Sequence, residues 1–132
     1  MSLTASEIEQ YLPDALEHLY DYSHLGSHPL VALRVVSAMI VHDQTPLTHV
    51  DRGRALSNAL QVAIDEMKPS GEPANVGHET RFYHVLHEAY REGKENSEIA
   101  RDLAISERTF YRERKRAITA LALVVWDMEN DA

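Results

Sequence analysis

Three observations predict an all-α fold. Nearly every segment outside the loops has helical periodicity, no stretch sustains an apolar/polar alternation, and residues 96–110 read as two helices joined by a tight turn. The expected architecture is a helical bundle with a carboxyl-terminal helix-turn-helix. An amino-terminal helical lobe is expected over 1–68, a linker over 69–77, and the helix-turn-helix lobe with a long final helix over 78–132. At 132 residues the chain is long enough to fold without staples, and it has no cysteine, which removes disulfides, thiolate zinc sites and cysteine nucleophiles.

The first helix is expected to start after Thr4 or Ser6, because Thr4-Ala5-Ser6-Glu7 and Ser6-Glu7-Ile8-Glu9 are both capping-box arrangements. Pro13 leaves two readings open: a short helix ends near Tyr11 and another starts with Pro13 in its first turn, or one helix kinks there. Leu16, Leu19 and Tyr20 form the apolar face that follows, ending at Gly26. Pro29 opens the next helix, Leu30 to Val41, whose Val31, Leu33, Val35, Val36, Met39 and Ile40 leave few polar positions. After a loop containing Pro46, Thr48 to Met67 reads as a long helix with Leu56, Leu60, Ile64 and Met67 on one stripe and Arg52, Arg54 and Asp65 off it. Residues 68–77 are rich in turn formers.

In the second half, Arg81 to Arg91 reads as a helix followed by Glu92-Gly93-Lys94. Asn96 is expected to cap a short helix that buries Ile99, Ala100 and Leu103, and Ala104-Ile105 make the turn. Ser106 is the next N-cap, accepting from the amide of Arg108 or Thr109, and Phe110 is the first large apolar anchor behind it. The basic run Arg112, Arg114, Lys115 and Arg116 follows. From Ala117 to Trp126 the last helix is apolar on nearly all sides, so it needs cover on more than one face, from the amino-terminal lobe or from a second chain. A homodimer is therefore expected.

The run Glu98-Ile99-Ala100, Leu103, Ile105-Ser106 and Thr109 resembles the tetrahelical helix-turn-helix class shared by region 4 of sigma-70-type factors and LuxR-type effector domains. The resemblance covers about residues 79–126. It departs at Phe110, where those families carry a small aliphatic residue, and at Arg114, where they bury one; either the recognition helix is rotated or Arg114 snorkels along the core edge. The segments Leu16 to Leu30, Arg52 to Leu56 and Met67 to Pro69 are similar to an amino-terminal module attached to this motif in bacterial regulatory proteins. The resemblance implies a transcriptional regulator that reads double-stranded DNA in the major groove, with Glu107, Arg108, Tyr111, Arg112 and Lys115 as base and phosphate readers. Asn96, Ser97 and Arg101 would add backbone contacts from the preceding helix. Tyr111 should face outward, either reaching phosphate or a thymine methyl or packing on its own helix.

Charge makes opposite demands on that reading. The net charge is −8, yet nine of the thirteen Lys and Arg lie after residue 77. A basic helix on an acidic body orients a protein on DNA. Alternatively the Arg112 to Arg116 run is a solvated face paired with Glu107 and Glu113, and the motif is a protein-interaction module for RNA polymerase or another regulator.

Eight histidines invite a third reading. His84 and His87 share a helical face, His24 and His28 flank a turn, and His42-Asp43 is similar to the dipeptide of the HD phosphohydrolases, in which a metal activates water. No cluster offers three ligands at a recognised spacing, so no metal and no cofactor are expected. His42-Asp43 is more simply a cation near a helix carboxyl terminus followed by a loop residue. No Gly-rich phosphate loop, nucleophile elbow or catalytic set is recognisable, so an enzyme is not expected. The amino terminus has no basic region followed by an apolar one, and the apolar run Ala120 to Trp126 is far below the roughly 20 residues needed to span a bilayer. A cytoplasmic protein without a membrane partner is expected.

Overall fold

Thr4 closes the first capping box. Its hydroxyl accepts from the Glu7 amide at 3.1 Å while Glu7 accepts from the Thr4 amide at 3.0 Å, and helix α1 runs from there over Ala5–Glu17. The computed structural model describes residues 3–40, 47–68 and 78–132, with the backbone alone at 78–80. Of the two readings at Pro13, one helix passes through it: Ile8, Leu12, Ala15 and Leu16 stay on a single buried face on both sides of the proline. Asp21 then caps the short α2, Tyr22–Leu25.

The single helix expected from Leu30 to Val41 is divided. Pro29–Ala32 forms a 3-10 turn, Leu33 is extended at φ −65° and ψ 141°, and α3 restarts over Arg34–Ala38; Val41 lies outside the described residues. The cause is remote. The buried carboxylate of Glu129, at the far end of the chain, accepts from the amides of Arg34 and Val35 at 2.9 Å each and so makes a helix start there.

A second capping box, Thr48 with Asp51, opens α4, His49–Glu66. Its buried face is broader than the expected stripe, adding Gly53, Ala55, Ser57, Ala59 and Ala63 to Leu56, Leu60 and Ile64, while Met67 is half-buried. These small residues admit close neighbours. A β-carbon on Gly53 would overlap the Tyr22 carbonyl, so glycine here is what lets α2 lie directly on α4.

Helix α5, His78–Leu86, widens into a π-helical turn over His87–Arg91, closed by the Glu92 amide on the His87 carbonyl at 3.0 Å. Gly93 follows at φ +69°. Helix α6 spans Asn96–Asp102, and the expected cap is displaced by one residue: Glu95 holds the extended N-cap position without a side-chain bond, and Asn96 is the first helical residue. The turn after α6 is a Schellman arrangement, with Ile105 N–H on the Ala100 carbonyl and Ala104 N–H on the Arg101 carbonyl, both at 3.0 Å. Ser106 then caps α7, Glu107–Asp131, by accepting from Thr109 at 3.0 Å.

The described residues thus contain seven α-helices and no strand, and no helix among them is long and apolar enough to cross a membrane. The segments expected as two lobes share one core. Ile8, Leu12 and Leu16 of α1, Val36 of α3 and Leu56, Leu60 and Ile64 of α4 form one buried cluster with Leu86 and with Ala117, Leu121 and Val125 of α7. A small satellite of Val85, Ile99, Ala100 and Phe110 holds α5, α6 and the start of α7 together. Helix α7 therefore serves both clusters, and the second apolar face that called for cover finds it within this chain on α1, α3 and α4. Leu121 and Val125 are buried and Trp126 half-buried, whereas Leu123 is 57% exposed. The expected linker 69–77 lies outside the described residues.

Candidate nucleic-acid interface

Three turns of α7 follow the Ser106 cap before the helix enters the main core, and over this span its inner face is set by Phe110, Glu113 and Ala117, all buried. Residues 108, 112, 115 and 119, spaced by four, three and four, fall on the opposite face. Arg108, Arg112, Lys115 and Thr119 are all exposed, with Arg116 beside them and Tyr111 45% exposed at the edge toward α6.

The cations of this region divide into two groups. Arg34, Arg81, Arg91 and Lys94 are engaged internally, by Glu129, Glu113, Asp65 and Glu88 respectively. Among the described residues, Arg101, Arg108, Arg112, Lys115 and Arg116 have no carboxylate partner. Glu113, which the sequence offered as a neutraliser of the basic run, turns inward instead and lies 3.7 Å from Arg81. Its inversion leaves the outer face of α7 uniformly cationic from Arg108 to Arg116.

The expected contributors from α6 lie alongside. Asn96, Ser97, Glu107 and Tyr111 border one shallow pocket of about 360 Å³ together with Glu95. Asn96 Nδ2 donates to the Tyr111 hydroxyl at 3.4 Å, and Arg114 Nη1 reaches Asn96 Oδ1 at 3.5 Å, both long bonds. Arg114 resolves its odd position by snorkelling. Its guanidinium carbon sits 5.8 Å from the Phe110 ring centre and 5.1 Å from that of Tyr111, so the residue lies over the edge of the satellite core and holds the phenol from one side. Arg101 is exposed one turn beyond Ser97 on α6.

Two grooves flank the stripe. Toward α1, a groove of about 570 Å³ is lined by Glu9, Pro13, Glu17, Tyr90, Arg114 and Lys115. Its far wall is acidic. Toward α5, a groove of about 470 Å³ is mainly apolar, with Phe82, Ala120 and Leu123 below Arg112 and Arg116. Lys115 borders both grooves and forms the ridge between them.

Of the histidine pairs singled out in the sequence, His84 and His87 face different carboxylates, Glu88 at 3.9 Å and Glu92 at 3.2 Å, and do not converge. His42-Asp43 lies outside the described residues. His24 and His28 do converge, with His18, on Asp14, a grouping that the sequence reading missed. Its one local signal was the spacing of Asp14 and His18, one turn apart on α1. The hydrogen bond from His24, aided by the three nearby imidazoles, holds the Asp14 carboxyl below the ordinary aspartate range. Burial pushes His28 down, against the attraction of Asp14. Comparison of the chain with protein-family models, with curated proteins and with solved structures gives no match.

Proposed function

We propose that the chain is a DNA-binding transcriptional regulator in which α6, its Schellman turn and α7 act as a helix-turn-helix, with the first turns of α7 entering the major groove. The observation that carries this reading is the row of cations on α7 that have no carboxylate partner among the described residues. Side chains engaged by carboxylates are spent on the fold; Arg108, Arg112, Lys115 and Arg116 are not, and four such cations on one helix face favour a polyanion. Arg108 and Arg112 have the planar donors that suit guanine O6 and N7, Lys115 is a point charge for phosphate, and Glu107 can accept from cytosine N4. Ser97, Asn96 and Arg101 on α6 approach the backbone, and Arg114 presents Tyr111 by packing across its ring. The resemblance to sigma region 4 and LuxR-type motifs supports the same docking mode.

The test is selection from randomised duplexes at low salt. A short motif should be enriched. Arg112→Ala should then cost about 1–3 kcal/mol and relax one position, whereas Lys115→Ala should weaken all sequences alike. A second reading is favoured by Glu95 and Glu107, which rim the α6/α7 pocket where phosphates would approach: a protein-interaction module for RNA polymerase or another regulator. It replaces the first if no duplex is enriched while the chain retains polymerase on a column and loses it with Arg112→Ala.

A further inference from the structure

Far from the cationic stripe, four side chains from three successive segments meet at the end of α1. Asp14 and His18 lie one turn apart on α1, His24 is in α2, and His28 precedes the 3-10 turn. Asp14 Oδ2 is 2.8 Å from His24 Nε2 and 3.3 Å from His28 Nε2, and Asp14 Oδ1 is 3.7 Å from His18 Nδ1. The rings of His18 and His24 stack with centres 3.8 Å apart. One ligand atom from each of Asp14, His18 and His24 lies within 4.8 Å of the other two.

Ligand atoms at about 2.0–2.1 Å from a tetrahedral zinc stand roughly 3.4 Å apart. To close on an ion the cluster must trade the His24 Nε2–Asp14 hydrogen bond for coordination and turn the stacked His18 and His24 rings so that their lone pairs converge, rotations open to these half-exposed side chains.

The hydrogen bonds around the cluster supply an independent argument. His28 Nδ1 accepts from the Leu30 amide at 3.2 Å, which assigns the proton of its neutral ring to Nε2 and turns His28 into a donor to the Asp14 carboxylate, not a ligand. Its side chain is 4% exposed, so the donor is fixed. His18 Nδ1 donates to the Asp14 carbonyl at 2.9 Å, which leaves the lone pair of the neutral ring on its other nitrogen. Fixing a ligating carboxylate and an imidazole tautomer by outer hydrogen bonds, one to a buried group and one to a backbone carbonyl, is how metal sites orient their ligands.

We propose that Asp14, His18 and His24 bind a divalent transition metal, with His28 as a positioning residue for Asp14. Two imidazoles and one carboxylate form a borderline-soft set that suits zinc, cobalt or nickel and not magnesium, with water completing the shell. The ion would clamp the last turn of α1 to α2, which itself lies on α4. This inference is independent of the DNA reading.

The test uses tag-free full-length chain stripped with chelator and titrated with zinc chloride, read by calorimetry and by thermal melting. One zinc per chain should bind and raise the melting temperature, and magnesium should do neither. His24→Ala and Asp14→Asn should each abolish the shift while keeping the helical circular dichroism of the parent. His28→Asn should keep the stoichiometry and weaken binding about 10–100-fold. His84→Ala should bind as the parent does. Cobalt in place of zinc should give a visible absorption that disappears in His18→Ala, a readout that requires the ligand itself and not merely a stable fold. No zinc uptake at large excess, or uptake that persists in the His18→Ala/His24→Ala double variant, overturns the proposal.

Discussion

Ala104 sits at φ +58° in the turn between α6 and α7, where an L-residue with a β-carbon is strained by about 1–2 kcal/mol relative to glycine. Its backbone is held there by the two Schellman bonds, so the strain is maintained by α6 and α7 and not relieved locally. Ala104→Gly should therefore stabilise the chain, by about 0.5–1 kcal/mol once the greater freedom of the unfolded glycine is subtracted, visible as a higher urea midpoint with unchanged slope. A lower midpoint would mean that the left-handed turn is not formed. Glu88 shows a second local effect. Lys94 donates to it at 2.7 Å across the π-helical turn, and that hydrogen bond lowers the Glu88 pKa while Glu88 raises that of Lys94, two shifts that agree in sign. A depressed carboxylate stabilises the fold above its unfolded pKa and loses that contribution as pH falls through the folded value. The stability gap between the parent and Glu88→Gln should be constant near neutrality and shrink below about pH 4.5, the ordinary glutamate value. Melting curves from pH 7 to 3 check this; a gap that widens on acidification refutes the assignment.

Helix boundaries were legible where their caps are local. Thr4, Thr48 and Ser106 each precede their helix by one residue and bond three residues on; Ser106 was read as a cap and Thr4 as one of two starts, whereas Thr48 was taken as the first helical residue. The division of the Leu30 to Val41 segment was not legible, because the group that captures the Arg34 and Val35 amides is Glu129, 94 and 95 residues away. Glu129→Ala should cost about 2–3 kcal/mol, as two amides lose a charged acceptor at a largely buried site. Glu129→Gln should recover little, since its amide group offers one acceptor and turns a donor toward the other amide. Both are measured by chemical denaturation, and a loss below about 0.5 kcal/mol would place the cap elsewhere. At the α2/α4 contact the competing effects have opposite signs. Gly53→Ala gains about 1 kcal/mol of helix propensity but forces a β-carbon into the Tyr22 carbonyl, and overpacking of this kind costs about 1–3 kcal/mol with no flexible side chain to yield. Net destabilisation is expected; a rise in melting temperature would show that α2 can lift from α4 without penalty.

Over the whole molecule, the all-α class and the α6/α7 motif were legible because periodicity and caps are properties of neighbouring residues. That α7 needs cover on a second face, from the amino-terminal lobe or a second chain, was legible in its apolar run; that Leu121 and Val125 share a cluster with Ile8 and Leu12 was not, since that depends on the tertiary fold. The candidate interface was half legible. The exposure of Arg108, Arg112 and Lys115 follows from Phe110 and Ala117 pointing inward, but the inward turn of Glu113 contradicts helix-surface pairing and needed the position of Arg81. With net charge −8 and the acidic wall of Glu9 and Glu17 across the groove from Lys115, affinity for DNA should be low at physiological salt and rise steeply on dilution. Plotted as log affinity against log salt, Lys115→Ala should flatten the slope by about 1, and Glu9→Gln should strengthen binding without changing the preferred sequence. A salt-independent affinity would contradict phosphate contact altogether.

The Glu129 carboxylate also imposes an order on biosynthesis. Val35 leaves the ribosome 94 residues ahead of the group that caps its helix, an interval of roughly five to twenty seconds at about 5–20 residues per second. Through that interval the apolar face of α1 and the start of α3 wait without Ala117, Ile118, Leu121, Ala122 and Val125, the core residues that α7 supplies. Nascent chains should thus stay sensitive to protease over α1 and α3, and retain a holdase chaperone, until α7 has emerged.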